Sequence, residues 1–212
     1  MDTVSSKETV SNLKLMGVID MYKTSLQFNQ YYHLYNRGNN KEALFKEGRN
    51  YYYFLDLYKK YISPMADLYA YCLLPTHFHF LIRIKSLSEI EDFYQDESQI
   101  WRQVRTFLGT YTKSINKTYN RIGHLFEGRY SRKIVLKDEY FFQLISYIHQ
   151  NPQTHGIVSD FRMWPYSSYQ DYIHKYKKSI LAKCVFSDHE LYNTILAKQE
   201  AYLFDINIFD FV

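Results

Sequence analysis

Two apolar runs stand back to back in the middle of the chain. Ala66 to Leu74 (ADLYAYCLL) and His77 to Ile84 (HFHFLIRI) are separated only by Pro75-Thr76. Each has the length of a strand, and the proline between them removes an amide hydrogen that a continuing element would need. So short a break joins antiparallel neighbours and leaves no room for a parallel crossover. The chain is therefore expected to build an antiparallel sheet around this pair.

The flanking segments extend that frame. Gln30 to Asn36 (QYYHLYN) reads as a strand ended by the turn residues Arg37-Gly38-Asn39-Asn40. Arg49 to Tyr61 places Tyr53, Leu57 and Tyr61 on one helical face, and Ser63-Pro64 closes it. Lys85 to Ile100 is polar and acidic and reads as a loop. Trp101 to Tyr119 carries Val104, Leu108, Tyr111 and Ile115 at helical spacing. His124 to Leu136 is strand-like, and Asp138 is placed to cap a third helix, Glu139 to Gln150, which Asn151-Pro152 should end. Strand, helix, strand, strand, helix, strand is the split βαβ order. The expected class is α+β, an antiparallel sheet with helices packed on one face. The expected organisation is an arm over residues 1–25, a domain over 26–176 and an extension over 177–212 whose role is not readable.

Composition narrows the setting. No run of 18 or more apolar residues exists, so no membrane span is expected. Asp2, Lys7, Glu8 and Lys14 interrupt the first 25 residues, which lack the apolar core of a secretory signal. Cys72 and Cys184 lie far apart without metal-type spacing, and Cys72 sits in an apolar run, as a reduced core thiol in cytoplasm would. The net charge is only +4, but Trp101 to Lys137 holds nine Lys or Arg against Glu127 alone. That excess suits a polyanion, although a solvated helix face has the same composition. The 23 tyrosines can stack on unpaired bases, and they can equally be core and rim, so no tyrosine is informative without a position.

Two positions offer chemistry. On a strand, His77 and His79 share a face while Phe78 points to the other. Their imidazoles, about 6–7 Å apart along the strand, can converge on one divalent ion. Two histidines leave coordination open, which fits Lewis-acid work on phosphate better than a closed structural site. A solvated polar pair has the same spacing. On the third helix Tyr147 and Asn151 are four apart and share a face. Asn151 offers a carbonyl oxygen to a hard cation. Tyr147 would lie beside the same ion, where a phenol oxygen can act as a covalent nucleophile. Leu144, Tyr147 and Ile148 also fit an apolar stripe, and periodicity leaves both readings open.

Four collinear blocks carry a resemblance: YYHLYNRGNN from Tyr31, YAYCLLPTHFHFLIRI from Tyr69, GHLFEGRYSRKIV from Gly123, and YIHQNPQTHGIV from Tyr147 with its sequel WPYSSYQDY. Together they span roughly two thirds of the chain, and in this order the sequence resembles the HUH endonucleases, most closely the REP-associated single-tyrosine transposases. The resemblance implies a ferredoxin-like, RRM-like sheet. It implies His77 and His79 as metal ligands completed by Asn151, with Mg2+ or Mn2+ as cofactor, and Tyr147 as nucleophile. It implies single-stranded DNA with a hairpin as partner, a 5′-phosphotyrosine intermediate, and Asn36, Arg37, Arg129, Arg132 and Lys133 as DNA contacts. A monomer or a homodimer, cytoplasmic and nucleoid-associated in a prokaryotic cell, would fit it.

Three other readings share these features. A non-catalytic RRM-like protein would bind single strands through exposed aromatics and a basic face. A replication initiator of the same superfamily would use the same chemistry, and a phosphohydrolase would use water and keep Tyr147 structural.

Overall fold

The side chains of the third strand divide cleanly by parity. Phe78, Phe80, Ile82 and Ile84 are fully buried on one face of the sheet, while His77 and His79 stand on the other. The computed structural model describes residues 25–90, 96–173 and Thr194, so the expected arm and C-terminal extension, Cys184 included, lie almost wholly outside the described residues. Along the chain come β1 (Tyr31–Arg37), α1 (Gly48–Tyr61), β2 (Ala66–Leu74), β3 (His77–Ile84), α2 (Glu97–Thr118), β4 (Ser131–Val135), α3 (Asp138–Thr154) and the short α4 (Tyr169–Ile173). The sheet order is β2-β3-β1-β4 with every neighbouring pair antiparallel. This is the expected ferredoxin-like arrangement: each strand–helix–strand crossover skips one position, and the other crossover fills it.

The crossover helices α1 and α2 pack together over the even-numbered face of β3. The Phe54 ring is the centre of that layer, 5.1 Å from Phe78, 4.6 Å from Phe107 and 4.7 Å from Tyr111. The buried Tyr111 hydroxyl is satisfied by donating to the Leu44 carbonyl at 2.7 Å. Expecting helices on one face is right for this crossover pair alone. The third helix, α3, lies against the opposite face, where it meets β2, β3 and β4.

An irregularity in β2 shapes that second layer. The pairing of β2 with β3 shifts between Leu68 and Ala70, so Tyr69 is an extra residue. The bulge places its ring 5.4 Å from Tyr31 and 5.3 Å from Phe141 of α3, and Phe141 in turn stands 5.3 Å from Tyr31. These rings fasten the first turn of α3 to one end of the sheet.

Several expected boundaries move. The fourth strand covers only Ser131–Val135, because residues before it form a loop held by an isolated bridge between Phe126 and Gly38, just past the end of β1. The second helix starts at Glu97, four residues before the expected Trp101, capped by Asp96 accepting from Ser98 N–H. Asp138 is not the cap of α3; Lys137 is, and Asp138 and Glu139 lie in the first turn, where negative charge favours the amide end. Nor does Pro152 end α3, which continues to Thr154. In the last turn a proline forgoes one intrahelical bond, and its own carbonyl still accepts from Ile157 N–H at 2.8 Å. Cys72 is a buried free thiol, as its apolar surroundings predict. Among the described residues no helix is long and apolar enough to cross a membrane.

Candidate active site

The later turns of α3 lie over the histidine end of β3. The Tyr147 ring stands edge-on to His79 at 5.7 Å and to His33 at 6.3 Å. One turn on, Asn151 is buried beside His77. Its Nδ2 donates to the Tyr147 carbonyl at 2.9 Å. His155 follows after a further turn, its ring 4.7 Å from that of His77. Tyr147, Asn151 and His155 thus form one stripe facing His77 and His79, whose rings are 5.2 Å apart. The structure brings together all four residues expected to do the chemistry.

Electrostatics at this end are set by burial. Loss of water holds the His77 imidazole down at about 4, helped by the proximity of His155 and opposed by Asn151. Burial likewise holds His33 at about 3 and drives His79 well below the ordinary range, where the nearby His33, His77 and His155 further disfavour a positive charge on it. All three rings are therefore neutral at pH 7, the form in which imidazole binds metal. Tyr147 is half-buried, and burial raises its phenol above the usual value, partly offset by Asn151. The phenol is protonated at neutral pH and must lose that proton to act as a nucleophile.

Four buried atoms here lack a hydrogen-bond partner: His79 Nε2 and Asn151 Oδ1, and beside them His33 Nδ1 and Asn36 Nδ2. Such atoms are costly unless something else meets them. Thr76 Oγ1 lies 3.1 Å from His77 Nδ1, leaving His77 Nε2 as that ring's outer donor atom. Two imidazole nitrogens and an amide oxygen suit a divalent cation that keeps oxygen ligands of its own. Among the described residues no group of three His, Cys, Asp or Glu side chains forms a metal cage. The fit is thus to an open site completed by an amide and by water or phosphate, not to a closed one.

The pair sits in a cleft of about 660 Å³ lined by Tyr35, Arg37, Lys41, Thr76, His77 and His155, among others. Arg37 is at its rim, but in an exposed bidentate pair with Glu127. Asn36 is buried; its Oδ1 accepts from Arg37 N–H at 2.8 Å, and it lines both this cleft and a second one. The second cleft, of about 720 Å³, contains Trp101, Arg105, Arg129, Tyr130 and Arg132. Arg105 lies over Trp101 and Arg132 over Tyr130, at 5.2 and 5.4 Å. Arg132 and Lys133 do not act as one patch. Arg132 pairs with Leu34 on the α1–α2 side, and Lys133 pairs with His33 on the active-site side.

His33, Tyr35 and His155 belong to this site without having been expected there. His33 and Tyr35 alternate along β1, but only strand register brings Tyr35 opposite His79. His155 is four residues beyond Asn151, a spacing hidden when the helix is taken to stop at Pro152. His149 is outside the site, as its two-residue offset from Tyr147 predicts, with Nε2 2.7 Å from Ser168 Oγ.

No family model matches the chain. A Haemophilus influenzae protein named as a REP-associated tyrosine transposase is 30% identical over 105 residues, 47% of this chain and 57% of that protein. The chain thus spans a little over half the length of that relative. Among solved structures, a REP-associated tyrosine transposase bound to a REP hairpin superposes with a TM-score of 0.55 and 15% identity, covering 73% of this chain and 85% of that one. That likeness is one of fold.

Proposed function

We propose that the chain is a metal-dependent endonuclease and strand transferase acting on hairpin-bearing single-stranded DNA, with Tyr147 as nucleophile. The observation that carries this reading is the docking of α3, which sets Tyr147 against His79 and Asn151 beside His77, the two histidines themselves lining an open cleft. The likeness to the Haemophilus protein and to a fold solved with a REP hairpin supports the same class and the same kind of partner.

His77, His79 and Asn151 would hold Mg2+ or Mn2+. When bound, the cation would supply Lewis acidity to the scissile phosphate. In the cleavage step the Tyr147 oxygen bonds to phosphorus and the bond from phosphorus to the 3′ oxygen breaks. The phenol gives up its proton and the 3′ oxygen ends protonated, leaving a 5′-phosphotyrosine and a free 3′-OH. The covalent link retains the energy of the broken phosphodiester, so a 3′-OH can reverse the attack and rejoin. Asn151 also acts on the Tyr147 phenol itself, lowering it against the effect of burial. Lys133 on the active-site side, and Arg37 once it exchanges Glu127 for phosphate, would hold the backbone of the strand. Arg129 and Arg132, with Trp101 and Tyr130, would guide flanking DNA along the second cleft.

The non-catalytic RRM-like reading needs an open aromatic sheet face, and α3 roofs that face in this chain. The test is an SDS-stable adduct with labelled hairpin-bearing single-stranded DNA in Mg2+ or Mn2+. Tyr147→Phe should abolish it while leaving the urea midpoint and hairpin binding unchanged. Cleavage without any adduct would refute the covalent step, and insensitivity to EDTA would refute the metal.

A further inference from the structure

We infer that His33 is a positioning residue for the metal site: it accepts the Nδ1–H of His79 and so keeps the His79 Nε2 lone pair bare for the cation. The inference rests on the metal reading above.

His33 Nε2 and His79 Nδ1 are 2.9 Å apart, their ring planes differ by only 24°, and both residues are buried. Between two neutral imidazoles at that distance there is one hydrogen, and it has two possible owners. If His33 owns it, His79 must carry its own hydrogen on Nε2, the atom that faces the candidate cation, and cannot ligate. If His79 owns it, Nε2 is bare and His33 carries a hydrogen on Nδ1. The outer atoms, His33 Nδ1 and His79 Nε2, have no other hydrogen-bond partner, so no competing bond fixes the choice. A cation at His79 Nε2 fixes it, and His33 is the acceptor that makes the ligating tautomer available. Metal-binding imidazoles are commonly oriented in this way through their other nitrogen. The register explains why this falls to His33: Tyr35 stands opposite His79, and His33 is the diagonal neighbour on the same face.

The test uses the full chain and Mn2+ alone, without DNA. His33→Phe fills the space but accepts no hydrogen bond, and it should weaken Mn2+ binding by about 10- to 100-fold, the usual loss when such a partner is removed. His33→Gln restores an acceptor oxygen and should recover most of that affinity. In the unaltered protein saturated with Mg2+, long-range proton–nitrogen NMR should show His33 as the Nδ1–H tautomer. This measurement decides the matter even where a variant fails to fold. Absence of Mn2+ binding in the unaltered protein would overturn both the metal reading and this inference. Binding that His33→Phe leaves intact, or an Nε2–H tautomer of His33 in the Mg2+-loaded protein, would overturn the role of His33 alone.

Discussion

Acid should loosen the far side of α3 before it affects most carboxylates, and His149 is the residue at which to measure this. Its ring is 1% exposed, its Nε2 lies 2.7 Å from Ser168 Oγ, and that hydroxyl also accepts from Tyr71 N–H at 2.8 Å. The three groups tie α3, β2 and the segment before α4 together. Burial lowers the imidazole to about 3, whereas in the unfolded chain it titrates near the ordinary value of 6.5. The folded state therefore binds fewer protons than the unfolded state between those values, and stability rises with pH across that window. The contribution of neutral His149 is complete above about 6.5 and is lost as pH falls toward about 3. At pH 5 an unfolded histidine is protonated about 30 to 1, a penalty of roughly 2 kcal/mol for this residue relative to pH 7. With a urea slope of about 2 kcal/mol/M, the midpoint should fall by roughly 1 M on His149's account. His33 adds a loss of the same sign, so the comparison is with His149→Gln, which keeps a hydrogen-bonding group but does not titrate. Urea titrations of both proteins at pH 7 and pH 5 give the double difference. The variant should lose roughly 1 M less than the unaltered protein over this interval. Equal losses would refute the buried, neutral His149.

Two further perturbations probe the frame that holds the site. Phe54→Ala removes a fully buried ring with four aromatic neighbours, Phe45, Phe78, Phe107 and Tyr111, within 5.2 Å, and should cost about 3–5 kcal/mol by urea or thermal unfolding; a loss below about 1 kcal/mol would contradict its central place in the layer. Gly38→Ala builds a Cβ 1.9 Å from the Glu42 carbonyl oxygen. The loop must move, breaking the Gly38 N–H bond to Thr76 O and the Glu42 pairing with Arg121. Amide exchange in residues 38–45 should accelerate and the thermal midpoint should fall, and unchanged exchange there would show that the contact is absent.

Much of this architecture could be read along the chain. Pro75-Thr76 between two apolar runs requires the hairpin of β2 and β3, and the two-residue period of a strand places His77 and His79 together with Phe78 opposite. The four-residue spacing of Tyr147 and Asn151 is likewise local, and helical geometry alone puts them on one face. The same period already separates Arg132 from Lys133; grouping them by charge ignores it. The extent of α3 was harder to read, because a proline in a last turn is tolerated where one in mid-helix is not, and sequence does not state which turn is last.

What only the tertiary structure decided is which of these faces meet. His33 and His79 are 46 positions apart, and their hydrogen bond exists because β1 and β3 pair in one register and not its neighbour. His77 and His79 had a shared face from local spacing, as did Tyr147 and Asn151. That these two faces confront one another depends on Phe141 seating against Tyr31 and on the bulge that turns Tyr69 toward it. Periodicity is written in adjacent residues, whereas register and docking follow from the summed packing of residues far apart in the chain, which is why the shared faces were legible and their meeting place was not.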